Sequence, residues 1–392
     1  MPSPAATLQE PRDGSATTHR SLRRSLRLAG AVALTCGLAA CSMSSGGTAA
    51  SSSAPSGSAG ATGAAGAKPG HGQTITLVTH DSFVAPKKTL QEFTKETGYR
   101  VQVSTQGDAG ELTNKLVLTK NSPIGDAMFG VDNTFASRAV DAGVFAPHQV
   151  PNPPKGLQRF QLPDPRDRKV LTPVDYGDVC VNVDNQWFAR HHQAPPKNLD
   201  DLLKPAYKNL FVTPGASTSS PGMAFLLTTI AKYGQPGWQD YWRKLMANGA
   251  KVTSGWTDAY EVDFSGGGGH GARPIVLSYA SSPPYTIPKG GSKPTTSALL
   301  DTCFRQVEFA GVLKGAQHPQ GAALLVNFLV SKTFQRTVPE NMYVYPVNTS
   351  VALPADWAKW AKVAPHPFSV SPRSIAQHRT EWLRQWAEIA TS

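Results

Sequence analysis

Ile75-Thr76-Leu77-Val78-Thr79 is a short apolar strand, and the order of the elements after it decides the fold. A helical pattern starts at Pro86, with Leu90 and Phe93 on one face, and Gly98 closes it. Arg100 to Ser104 alternates as a strand, Leu112, Leu116 and Val117 sit at helical spacing, and Ala127 to Val131 is a third apolar strand before a helix around Thr134 to Asp141. Strand, helix, strand, helix, strand, helix predicts an α/β fold built on a mostly parallel sheet with helices on its faces. Ligands bind such sheets outside the carboxyl ends of the strands. Two loops fall there, His80-Asp81-Ser82-Phe83 after the first strand and Asp132-Asn133 after the third. Each aspartate fits a ligand contact and equally a helix N-cap.

A second unit begins after Pro173, where Val174 to Asp184 forms a long strand that carries the chain across. Its clearest feature is Pro214-Gly215-Ala216-Ser217-Thr218-Ser219-Ser220-Pro221-Gly222, leading into an apolar helix from Met223 to Tyr233 that stops at Gly234. With Ser220 as N-cap and Pro221 at the first helical position, free N–H groups and hydroxyls converge at the positive end of a helix dipole. That suits a phosphate or another anion. Ordinary capping without a ligand uses the same residues. Further on come Gly255-Trp256-Thr257-Asp258-Ala259-Tyr260, a strand from Pro274 to Tyr279, and Ser281-Ser282-Pro283-Pro284-Tyr285. Aromatic residues in turns flanked by Gly and Pro fit a cleft wall, where their faces can hold a flat or cationic ligand, better than they fit a core. Gly266 to Gly269 lacks the Gly-Lys-Ser/Thr that a phosphate loop requires, so it is a flexible turn. After Cys303 to Val307 and a helix near Gln320 to Phe328, the chain ends in an amphipathic helix opened by Ser371-Pro372, with Ile375, Trp382, Trp386 and Ile389 on one stripe.

The first 72 residues are of another kind. Arg20, Arg23, Arg24 and Arg27 precede an apolar run from Leu28 to Ala40 that is too short to span a bilayer, so residues 1–40 are expected to be an export signal. The run ends in Leu38-Ala39-Ala40-Cys41, which resembles the bacterial lipobox, in which the cysteine carries the lipid. Residues 41–72 are nearly all Ser, Gly and Ala, a composition that cannot offset its ordering entropy by burial and predicts a tether. The net charge is +11, with the first 40 residues contributing +3, and the remaining basic residues are scattered. This is a solvated basic surface with no nucleic-acid footprint. Of four cysteines, Cys36 leaves with the signal and Cys41 takes the lipid, which leaves Cys180 and Cys303 to form a disulfide in an oxidising compartment. Closing so long a loop is worth up to about 4–5 kcal/mol.

From about Thr74 to its C-terminus the chain resembles the thiamine-binding periplasmic proteins of ABC importers. The matching segments are Asp81-Ser82-Phe83, Gly130-Val131-Asp132-Asn133, Val174-Asp175-Tyr176-Gly177, Ser219-Ser220-Pro221-Gly222, Gly255 to Tyr260, Leu277 to Tyr285, and Tyr345-Pro346-Val347. The resemblance implies a two-lobed type II binding-protein fold with strands crossing at a hinge, lobe 1 comprising residues 73–176 and 305–392 and lobe 2 residues 177–304. It implies thiamine or a thiamine phosphate in the cleft, Trp256, Tyr279 and Tyr285 as ring contacts, Asp108 as a matching acidic position, and Ser219 with its neighbours at a phosphate tail. Two departures stand out: His80 replaces the tyrosine that precedes Asp-Ser-Phe in relatives, and Tyr343 replaces the tryptophan of the late Trp-Met-Tyr-Pro segment.

The expected molecule is thus a monomeric, lipid-anchored solute-binding protein on the outer face of the cell membrane, without cofactor or metal, serving a permease and ATPase pair. Two other readings use the same residues. A thiaminase I-like enzyme would cast Cys180 as nucleophile near Asp175 and Asp178. A ferric-ion binder would use Tyr279 and Tyr285 as iron ligands, although a Ser and Pro turn separates them.

Overall fold

Four short parallel pairings and one long antiparallel pair organise the protein, which the computed structural model describes over residues 68–391. The export signal, Cys41 and most of the tether lie outside the described residues. The strands are β1 (Thr74–Thr79), β2 (Arg100–Thr105), β3 (Ala127–Asp132), β4 (Phe145–Ala146), β5 (Thr172–Asp184), β6 (Phe211–Pro214), β7 (Lys251–Thr253), β8 (Ile275–Tyr279), β9 (Thr296–Ala298), β10 (Phe304–Leu313) and β11 (Tyr345–Pro346). They join in one mixed sheet of order β2-β1-β3-β10-β5-β8-β6-β7, with β4 on β10 and β9 and β11 on β5.

Each flank of this sheet is parallel, β2-β1-β3 on one side and β8-β6-β7 on the other. Between them β10 and β5 run antiparallel to each other and to the flank strand each one meets. The parallel expectation therefore holds within each flank, and the middle is antiparallel because β5 and β10 are the strands that pass between flanks. Burial explains why the flanks read as near-continuous apolar runs: every residue of β3 and of β8 is buried, as in a sheet covered on both faces.

Helices cover those faces. Lys87–Thr97 buries Phe93 and ends at Gly98, whose φ of 84° is the left-handed cap that a glycine adopts without a Cβ penalty. The helix Ser220–Ala247 begins one residue earlier than the Pro221 pattern predicts, with Ser219 as N-cap. It breaks at Gly234 and Gln235, where the backbone leaves helical φ/ψ. The C-terminal helix Pro372–Ala390 is capped by Ser371, whose hydroxyl accepts from Ser374 N at 3.1 Å. It buries Ile375, Trp382, Trp386 and Ile389 as its sequence predicts, and Trp386 meets Trp242 edge-on at 5.6 Å. Burying side chains of this size stabilises the fold by roughly 2 kcal/mol each. Cys180 in β5 and Cys303 just before β10 form a disulfide across 123 residues.

Candidate functional site

The carboxyl ends of the parallel strands from both flanks converge on one cavity of about 250 Å³. His80, Asp81 and Ser82 follow β1, and Asp108 follows β2. From the other flank come Ser220 and Pro221 after β6, Trp256, Thr257 and Glu261 after β7, and Tyr279 at the end of β8. Gln306 and Glu308 project from the middle of β10, and Asn341 to Val344, just before β11, complete the lining.

One wall is aromatic. Trp256 stacks on Tyr260 at 5.0 Å with 12° between the rings, and lies 6.4 Å from Tyr279 and 6.2 Å from Tyr343. The indole is fixed by its Nε1, which donates to Ser278 Oγ at 3.0 Å. The Tyr279 phenol donates to Gln306 Oε1 at 3.1 Å, and burial holds it well above its ordinary pKa. Tyr285 does not line the cavity. Its ring supports Tyr343 from behind and its hydroxyl donates to Pro339 O at 3.0 Å. Tyr343 reaches the cavity with a left-handed backbone, φ 59°, unusual for a bulky residue.

The rest of the lining is acidic on both flanks. Asp81, Asp108, Glu261 and Glu308 line the cavity, and among the described residues no lysine or arginine does. Asp108 is fully engaged: Oδ1 accepts from Ala109 N at 2.6 Å and Oδ2 from Trp256 N at 2.9 Å. Burial raises its pKa against the opposing pull of those bonds and of His80. Ser219 is buried behind the lining, its hydroxyl facing Asp108. Asp132 is also behind the lining. Its Oδ1 accepts from Thr134 N, Thr134 Oγ1 and Phe135 N in the turn ahead of the helix Ala136–Asp141, whose N-cap is Phe135, and Ser220 faces the carboxyl.

Register explains a residue that the sequence did not single out. In the sheet Glu308 pairs with Asp132 on one side and with Asp175 on the other, so three carboxyl groups stand in a row across β3, β10 and β5. Like charges directly opposite each other repel. Burial first, then the charge of Glu308, pushes the Asp175 carboxyl well above the usual carboxylate range. His80 Nε2 lies 3.0 Å from Glu308 Oε1. Burial alone would lower the imidazole pKa, but Glu308, Asp108 and Asp81 outweigh it and raise it. The ring is pressed against Gly130, where a Cβ would sit 2.1 Å from His80 Cδ2.

Neither alternative chemistry finds its residues assembled. The Cys180 sulfur is in the disulfide, buried and off the cavity. Tyr279 and Tyr285 direct their hydroxyls to different protein partners rather than to a shared point.

A cavity between two parallel flanks, floored by the strands that join them, is the arrangement of a solute-binding protein, and the model of the bacterial extracellular solute-binding protein family matches residues 88–365. The chain belongs to this family. Similar solute-binding proteins include the thiamine-binding periplasmic protein of Salmonella typhimurium, 29% identical over 317 residues that cover 80% of this chain and 92% of the relative. The thiamine-binding periplasmic protein of Brucella suis biovar 1 is 29% identical over 324 residues, covering 80% and 91%. Among solved structures, a periplasmic thiamin binding protein superposes with a TM-score of 0.71 at 26% identity, covering 83% of this chain and 99% of that one. A ferric binding protein from Campylobacter jejuni, at TM-score 0.62 and 17% identity over 80% of this chain and 99% of its own, shares the type II periplasmic binding-protein fold.

Proposed function

We propose that this solute-binding protein captures thiamine outside the cytoplasm and delivers it to an ABC importer. The single observation that carries the reading is the pairing of an aromatic wall, Trp256, Tyr279 and Tyr343, with four carboxylates in a cavity sized for one small molecule. A flat aromatic cation satisfies both features: its rings stack on the indole and phenols, and its fixed charge is balanced by the carboxylates. The names of the similar proteins supply thiamine as the member of that class. Ser220 and Pro221, at the start of a long helix, line the same cavity and give a phosphorylated thiamine a place for its tail. Four carboxylates oppose that tail, so the unphosphorylated cation is the preferred ligand.

In this reading residues 73–176 and 305–392 form one lobe and residues 177–304 the other, and β5 and β10 act as the hinge. Contacts across the cavity support a closing motion: Asp108 holds Trp256 N, Gly110 N donates to Thr218 O at 2.9 Å, and Ser82 Oγ meets Thr257 Oγ1 at 3.2 Å. The ligand adds contacts to both walls and so selects the closed form. Cys41 carries the lipid anchor, and the protein works as a monomer that hands its cargo to the permease.

Mass spectrometry of ligand released from the natively purified protein, followed by calorimetry with thiamine, its mono- and diphosphate and hydroxymethylpyrimidine, tests the assignment. Thiamine should bind most tightly. Absence of measurable thiamine binding overturns it, and radiolabelled palmitate incorporation lost in Cys41→Ser tests the anchor.

A further inference from the structure

Glu308 is the most buried of the carboxylates that line the cavity, and it already has a cationic partner whenever His80 is protonated. The two groups are 3.0 Å apart, both nine-tenths buried or more, and both line the space that the ligand would fill. No lysine or arginine among the described lining residues competes for Glu308. A ligand cation entering there must share the carboxylate with an imidazolium or take its place.

We infer that cation capture in this cleft is exchanged for a proton, the ligand replacing the His80 imidazolium as the partner of Glu308. The inference rests on the thiamine reading and adds to it a coupling that nothing in the aromatic wall provides.

The surroundings fix the direction of the effect. Facing His80 are Glu308 from β10, Asp108 from the turn after β2 and Asp81 from its own loop, all negative or acidic. Facing Glu308 are His80, Asp132 at the end of β3 and Asp175 in β5. The Tyr279 phenol from β8 senses Glu308, Asp108 and Asp132, and remains neutral because burial raises it. Without ligand these carboxylates keep a proton on His80 to a pH above its ordinary value of 6.5. With a fixed positive charge in the cavity, that proton meets a like charge in a medium of low polarity, and the neutral imidazole is favoured.

Proton release of this kind has a fixed signature. Below the pH at which free His80 gives up its proton, affinity for the cation falls by up to about tenfold per pH unit, and up to one proton leaves per ligand bound. Above that pH the affinity is flat.

The test is calorimetry of the whole protein with thiamine between about pH 6 and pH 8.5, in two buffers of different ionisation enthalpy. The expected result is a dissociation constant that rises as the pH falls, with close to one proton released on the acid side. In His80→Gln the slope should vanish, the dissociation constant being the same at both ends of the pH range whatever its size. A second reading uses the wild-type protein alone: of the ten histidines, one imidazole signal in the nuclear magnetic resonance spectrum should lose its proton when thiamine is added near neutral pH. Thiamine binding with no slope and no proton release overturns the exchange and leaves the ligand assignment standing. A slope that persists in His80→Gln places the proton on Asp132 and also overturns it. No thiamine binding at any pH overturns the ligand assignment, and the exchange falls with it.

Discussion

Asp108 fastens one wall of the cleft to the other, since one carboxylate oxygen accepts from Ala109 N at the start of the helix Ala109–Leu118 and the second accepts from Trp256 N, 148 residues away. The residue that the family resemblance marks as an acidic ligand position is therefore also a structural clamp. Gly255 makes the approach possible, because a Cβ there would stand 3.0 Å from Asp108 Oδ2.

Asp108→Ala removes a helix cap worth about 1 kcal/mol. It also leaves the Trp256 N–H without its acceptor, at a cost of roughly 1–3 kcal/mol. Urea denaturation of the ligand-free protein should show a loss of roughly 2–4 kcal/mol. Asp108→Asn, which keeps one acceptor oxygen, should lose about half as much. An unchanged midpoint in both variants would mean that the clamp is open in solution.

Trp256 carries the aromatic wall. Trp256→Ala should weaken thiamine binding by roughly 2–4 kcal/mol, about 30- to 1,000-fold, the range of a buried aromatic hot spot. Trp256→Phe keeps the stacking on Tyr260 and loses only the Ser278 hydrogen bond, so calorimetry should find it within about tenfold of wild type. Equal losses in the two variants would shift the role from the ring face to the indole N–H.

The strands, the helix caps and the loops at strand ends were legible in the sequence because each is a local signal. The run from Ile75 to Asp141 gave the alternation, Gly98 and Ser371 gave helix ends, and the turn-borne Trp256 gave the cleft wall, to which the family resemblance added Tyr279. Glu308 was not legible. It sits in an apolar strand, Phe304–Leu313, with no turn or motif beside it, and only the pairing of β10 with β3 and β5 brings it to Asp132, Asp175 and His80. For Asp132, Ser219 and Tyr285 the spacing placed the backbone near the cleft, but side-chain direction decided the outcome. Asp132 turns back to accept from Thr134 N and Phe135 N, Ser219 faces Asp108, and Tyr285 stands behind Tyr343. The antiparallel middle of the sheet escaped the helix-and-strand alternation because β5 and β10 are long and carry no crossover helix of their own.

The disulfide should matter for stability and not for binding. Cys180 and Cys303 are buried in a satellite cluster with Ala280 and Ala364, away from the cavity lining. Replacing both with alanine should cost about 2–5 kcal/mol, since the loop they close spans 123 residues. Thiamine affinity should stay within about twofold of wild type. A loss of binding with stability intact would instead revive a chemical role for Cys180.

Asp132 makes a prediction about pH. Burial first, then the charge of Glu308, raises its carboxyl to about 7 in the folded protein, against hydrogen bonds from Thr134 and Ser220 and from an unfolded value of 3.8. A raised carboxyl binds its proton more tightly in the folded state, so its contribution to stability is complete below about pH 4 and disappears as the pH rises through about 7. Asp132→Asn supplies the neutral form at every pH: its carbonyl can accept from Thr134 and Phe135 where Oδ1 does now, and its amide can face Ser220. Chemical denaturation should find the variant more stable than wild type at pH 8, by at most about 4 kcal/mol for a shift of roughly three units. The difference should shrink steadily toward pH 4.5. A variant less stable than wild type at pH 8 would show that the Asp132 carboxylate is stabilised in place, and that Glu308 does not press on it across the sheet.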